Sequence, residues 1–192
     1  MLWVTVLMLL TNSQKAELLK LAKASIQEGL KSGRPLQIDL QQYDPAITLK
    51  RASFVTLERG GQLRGCIGML EAVRPLVEDI AENAFAAAFR DPRFPPLSET
   101  EYADLDVHIS ILSPAEAIDF VSEPDLIAQL QPGVDGLILR EGYRRGTFLP
   151  SVWEQLPDPV QFLRHLKQKA GLPADYWSET LKIFRYRTEM FS

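Results

Sequence analysis

Cysteine is almost absent from this chain, with one residue, Cys66, among 192. A single cysteine closes no internal disulfide, and no Cys-x-x-Cys or His-x-x-x-His pair is present to seed a zinc site. Histidine is nearly as scarce, at two residues, and the net charge is only -4. The basic stripe of a dedicated nucleic-acid binder is missing, so no nucleic-acid partner is expected. Long hydrophobic runs are missing as well. The apolar opening Met1–Leu10, interrupted by Thr5, reaches about half the ~20 residues that span a bilayer. It carries neither the basic n-region nor the small-residue cleavage site of a signal peptide. Residues 1–9 are therefore read as an extension, either an edge strand or a product of start-site choice (Met8 is an alternative start). A cytoplasmic location without membrane contact is the expectation. No Gly-x-Gly-x-x-Gly, Walker or Gly-x-Ser-x-Gly loop occurs, which excludes the standard nucleotide and hydrolase signatures.

What is present describes an ordinary globular chain: 46% hydrophobic and 24% charged residues, long enough for one domain with a substantial core. Thr11 with Gln14 forms a capping-box signature opening a helix to about Lys31, with Leu18, Ala22, Ile26 and Leu30 on one face. Phe54–Leu57 reads as a strand, Gly60-Gly61 as its turn, and the segment from Leu63 as the returning strand. Pro75 suits the first turn of a second helix reaching about Phe89, after which the prolines of 91–96 enforce an extended loop. Leu105, Val107, Ile109 and Ile111 alternate with polar residues, as in a half-buried strand. A short helix near Glu123–Gln131 precedes a second hairpin, Leu137–Glu141 and Thr147–Leu149, with its turn at Gly142–Gly146. A helix Pro159–Ala170 and a strand near Leu181–Arg187 follow, and Trp153 and Trp177 read as core aromatics. Hairpins with inserted helices and no βαβ rhythm predict α+β with a mainly antiparallel sheet and flanking helices. Both hairpins carry an Arg-Gly pair, Arg64-Gly65 and Arg145-Gly146, an echo that admits two related β-rich halves.

The densest chemistry lies in Leu63-Arg64-Gly65-Cys66-Ile67-Gly68. Glycine within a strand marks a bulge or a close approach, so Gly65 and Gly68 are candidate binding positions. Strand alternation places Cys66 on one face with Arg64, provided no bulge intervenes. Cys66 has three readings: a nucleophile, a metal ligand, or a small buried hydrophobe. Arg64, Arg93 and Arg145 would suit a carboxylate or phosphate, and Asp91 with Arg93 on the stiff loop reads as either a binding pair or a surface ion pair. His108 shares a strand face with Asp106 and Ser110, whereas His165 falls with Arg164, Lys167 and Lys169 on a solvated helix face.

The Leu63–Gly68 segment resembles the signature of the AMMECR family, whose prokaryotic members are called AmmeMemoRadiSam system protein A. Further stretches are similar in the same order: Ala88–Leu97, Ile109–Pro114, Gly133–Leu137, Arg145–Pro150 and Lys169–Leu172. The likeness runs over roughly residues 10–190, implying one AMMECR-like domain after the extension. It implies Memo-type and radical-SAM partners but names no reaction and no cofactor. The chain lacks the three-cysteine motif of a radical-SAM cluster. Two functions stand as expectations. One is an enzyme or enzyme component acting on a small anionic substrate or a protein near Arg64, Cys66, Arg93 and Arg145. The other is a non-catalytic adaptor using the same hairpin and Pro-rich loop as a partner surface.

Overall fold

The structure, a computed structural model, describes residues 10–192; the apolar extension 1–9 lies outside the described residues. In chain order the elements are α1 (Asn12–Ser32), β1 (Ser53–Arg59), β2 (Gln62–Gly68), α2 (Leu76–Phe89), α3 (Glu99–Tyr102), β3 (Leu105–Leu112), β4 (Glu116–Ala117), α4 (Glu123–Gln129), β5 (Gly136–Glu141), β6 (Arg144–Phe148), α5 (Pro159–Lys169), β7 (Lys182–Tyr186) and β8 (Thr188–Phe191). The fold is α+β, with two four-stranded sheets of order β2-β1-β3-β8 and β4-β7-β5-β6. The chain gathers into two compact units, one of residues up to Leu112 with Glu189–Ser192, the other of Ser113–Thr188.

In the first unit α1 opens on its capping box. The Gln14 amide N–H donates to Thr11 Oγ1 at 3.2 Å, and Thr11 N–H donates to Gln14 Oε1 at 2.9 Å. The helix ends at Gly33, whose φ of 69° supplies the left-handed cap. Leu30 lies only half-buried, and Gly29 holds the end of the buried stripe. A Cβ at Gly29 would sit 2.3 Å from the Phe89 ring, so glycine lets α2 cross close to α1. Leu18, Ala22 and Ile26 of α1 and Leu76, Ile80 and Ala84 of α2 cover Val55, Leu57, Val107, Ile109 and Ile111 of the sheet. Full burial of such side chains contributes about 1.5–3 kcal/mol each. One buried carboxylate threads this core. Asp79 accepts from Ser53 N–H at 3.0 Å, Ser53 Oγ at 2.6 Å, Asn83 Nδ2 at 2.9 Å and Arg74 Nε at 3.0 Å. That network fixes the first residue of β1 against the first turn of α2, and so sets where the hairpin begins.

The second unit is built around the β5-β6 hairpin and α5. Leu137, Leu139 and Ile183 meet Phe162, Leu163 and Leu166, and Trp153 stacks on Phe162 with ring centroids 3.7 Å apart. Trp177 departs from expectation. It is 37% exposed and leans on Phe120 rather than entering the core. The second hairpin turns more tightly than its glycines suggest. Gly142 and Tyr143 alone connect the strands, and Arg144 and Arg145 belong to β6 instead of the turn. Gly146 serves packing: a Cβ there would lie 2.9 Å from the Leu166 carbonyl oxygen of α5. Lys167, expected on the solvated face with His165, is fully buried with Nζ 2.9 Å from Glu123.

Candidate functional site

The signature hairpin is irregular at one residue. Leu57 pairs with Gly65 and the next residue, Glu58, pairs with Leu63, which leaves Arg64 as the extra residue of a β-bulge. The alternation that would join Arg64 and Cys66 on one face is broken there. Arg64 and Gly65 are consecutive yet both buried, and Cys66 falls on the sheet face turned from the helical core. Cys66 stands opposite Thr56, whose hydroxyl donates to Sγ at 3.2 Å. Thr56 in turn stands opposite His108, so one strand separates the thiol from the imidazole and no direct dyad forms. His108 Nε2 lies 3.5 Å from Glu58 on the same face.

β2 is an edge strand, and unpaired peptide groups on an edge invite other chains. Two side chains of the stiff loop 91–96 occupy those groups at Cys66. Its N–H donates to Asp91 Oδ2 at 2.9 Å, and its carbonyl accepts from Arg93 Nη2 at 3.3 Å. Asp91 and Arg93 are themselves joined, with Nη2 at 2.6 Å from Oδ2 and Nε at 2.9 Å from Oδ1. Donor faces acceptor as an adjacent strand would present them, so the pair imitates one residue of β-pairing. The Arg93 hydrogen bonds hold the Asp91 carboxyl well below the usual carboxylate range.

Arg64 has a different partner from any proposed by its sequence neighbours. Its Nε and Nη2 meet Glu101 Oε1 and Oε2 at 2.8 and 3.2 Å, a two-pronged pair, and Nη2 also donates to the Pro95 carbonyl at 2.9 Å. Glu101 sits in α3, where it closes a capping box with Ser98. The Ser-x-x-Glu spacing at 98–101 is a local signal for that helix start; the pairing with Arg64 has none. Gly65 and Gly68 have packing reasons. A Cβ at Gly65 would lie 2.1 Å from the Ala87 carbonyl oxygen of α2, and one at Gly68 would lie 2.3 Å from the Phe54 ring. Thus Arg64, Gly65, Cys66, Gly68, Asp91 and Arg93 come together in the first unit. Arg145 belongs to the second, in a row with Arg140 and Lys182 on neighbouring strands. Among the described residues no three His, Cys, Asp or Glu side chains are grouped as metal ligands, and no helix is long and apolar enough to cross a membrane.

The AMMECR1 family model matches residues 19–191, a span containing every one of these positions. The chain belongs to the AMMECR1 family. A protein of Methanothermobacter thermautotrophicus is 38% identical across 95% of each chain. One from Thermotoga maritima is 37% identical over 86% of this chain and 91% of its own. The crystal structure of an uncharacterized protein from Pyrococcus horikoshii superposes with a TM-score of 0.84 at 34% identity, covering 94% of this chain and 92% of that one. AMMECR1 membership therefore accounts for the fold and leaves the reaction to be argued from the site.

One property of this AMMECR1 site is directly measurable. Hydrogen bonds from Arg64 and then from Ser98 lower Glu101 from the usual 4.5 to about 2. The unfolded chain then takes up this proton at a higher pH than the folded one. The Arg64–Glu101 contribution is complete above about pH 4.5 and is lost as pH falls toward about 2. In urea unfolding across that window, Arg64→Met is expected to flatten the decline in stability relative to the parent. An unchanged slope would remove the pair from the acid response.

Proposed function

We propose that this chain is an enzyme component that works through the Cys66 thiol on a small anionic or protein substrate brought to the hairpin, alongside Memo-type and radical-SAM partners. The observation that carries this reading is the way Cys66 is held. Thr56 donates to its sulfur, Asp91 accepts its N–H and Arg93 donates to its carbonyl, while the residue stays partly exposed. Immobilising a residue outside the core costs conformational entropy that packing does not require. Preorganisation of a reacting group is what such a restraint supplies.

A specific observation favours the adaptor reading as the alternative. Arg64 and Arg93 each already face a carboxylate, so an anion reaching either one competes with Glu101 or Asp91. The two readings part at the sulfur. Under the enzyme-component reading, stably folded Cys66→Ala loses the cellular function of the system, and Cys66 alkylates readily in the native protein. Full function in Cys66→Ala, with alkylation only after unfolding, would leave the adaptor reading standing.

A further inference from the structure

A recess of the first unit lies beyond the thiol, at the tip of the signature hairpin. It has a volume of about 540 Å³ and is lined by Arg59, Gly60, Gln62, Leu63, Arg64, Glu101 and Asp104. The bulge creates it in part, because Arg64, the extra residue, turns inward toward α3 and leaves Leu63 44% exposed at the rim.

Two features of the lining point to a ligand. First, Arg59 is poorly matched to its neighbours: both of its ion pairs, to Glu101 and to Asp104, are 3.9 Å long, beyond hydrogen-bond distance. The Glu101 carboxylate is already engaged by Arg64 and Ser98, which leaves the fork of Arg59 without a geometric match. Second, Arg64, itself only 8% exposed, has an Nη1 group shielded from solvent with no hydrogen-bond partner. A buried donor left unmade is costly, and a ligand acceptor would relieve it. Two guanidinium groups and two carboxylates make the lining neutral as a whole. A free anion would meet Glu101 and Asp104, and a free cation would meet Arg59 and Arg64.

We propose that this recess binds a small zwitterion with an apolar side chain, of the free amino-acid class. Its carboxylate pairs with the Arg59 fork and accepts from Arg64 Nη1, its ammonium pairs with Asp104, and its side chain lies on Leu63. The volume falls within the range of small-molecule sites. This site is separate from the thiol, because the hydrogen-bond partners of Cys66, Thr56, Asp91 and Arg93, lie outside the recess lining.

The test is a titration of the full chain with L-leucine, following the backbone amides of Gly60 and Gly61 by heteronuclear NMR. 4-Methylpentanoate, which lacks the ammonium, and isopentylamine, which lacks the carboxylate, are the matched probes. Leucine is expected to give saturable shifts at millimolar concentration, with each analogue at least about tenfold weaker. Arg59→Met and Asp104→Asn alter exposed side chains and are expected to keep the parent melting temperature while weakening leucine about tenfold each. Cys66→Ala should bind leucine as the parent does, which separates this site from the thiol. Three results would each overturn the proposal: an analogue binding as tightly as leucine, no saturable movement at Gly60 and Gly61, or unchanged affinity in both variants.

Discussion

Gly65→Ala is expected to destabilise the first unit by about 3 kcal/mol or more, the upper part of the overpacking range. The added Cβ would meet the Ala87 carbonyl oxygen at 2.1 Å, and that atom is helix backbone, which cannot rotate away. Either α2 lifts from the hairpin or β2 shifts, and both open the core around Val55, Leu57 and Ile80. For a chain of this length the loss corresponds to a drop of roughly 6–12 °C in melting temperature. Gly60→Ala supplies the contrast within the same hairpin. Nothing lies within 4 Å of its would-be Cβ, and only its φ of 58° resists substitution. Left-handed backbone costs about 1–2 kcal/mol for an L-residue. Equal losses for the two variants, measured by calorimetry, would refute the close-approach role of Gly65.

That contrast shows what sequence alone can and cannot convey. Both glycines are visible in a strand–turn–strand pattern, and Gly60-Gly61 declares its turn because hairpin turns need positive φ. Gly65 announces that something approaches without saying what. The approaching atom belongs to Ala87, 22 positions later in the chain, and no local rule identifies it. Elements governed by short-range chemistry were legible: the Thr11–Gln14 box of α1, the alternation of β3, and the entry into α2 at Pro75. Gly146 reads as a turn residue because turn glycine and packing glycine look alike in sequence, and that reading takes Arg144 and Arg145 out of β6, where the structure places them. The bulge at Arg64 is hidden for a different reason. Period-2 alternation assumes one residue per pleat, and only the register against β1 shows that Arg64 is supernumerary. Its partner Glu101 lies 37 positions away. The strand β8 completes the first sheet from the far end of the chain, where its pairing with β3 depends on tertiary contact rather than propensity.

Asp91→Ala is expected to have the second large effect, about 2–3 kcal/mol, because its carboxylate, 4% exposed, accepts four hydrogen bonds. Removing it leaves the Cys66 N–H without a partner on an edge strand and frees Arg93 to swing into water. Arg93→Ala should be much milder. The Cys66 carbonyl that Arg93 reaches is near solvent, where water replaces the lost donor, and Asp91 still accepts the Cys66 N–H. Asp91→Asn should fall between the two, since an amide oxygen still accepts from Cys66 while the charge that holds Arg93 is gone. Hydrogen exchange at the Cys66 amide provides the local readout. Protection should collapse in Asp91→Ala, weaken in Asp91→Asn and survive in Arg93→Ala. The same order in native alkylation rate would tie the clamp to the thiol, because a peptide released on the edge strand lets the sulfur move away from Thr56. If Arg93→Ala lost as much protection as Asp91→Ala, Asp91 would not be the anchor of the pair. The restraint on Cys66 would then come from the guanidinium.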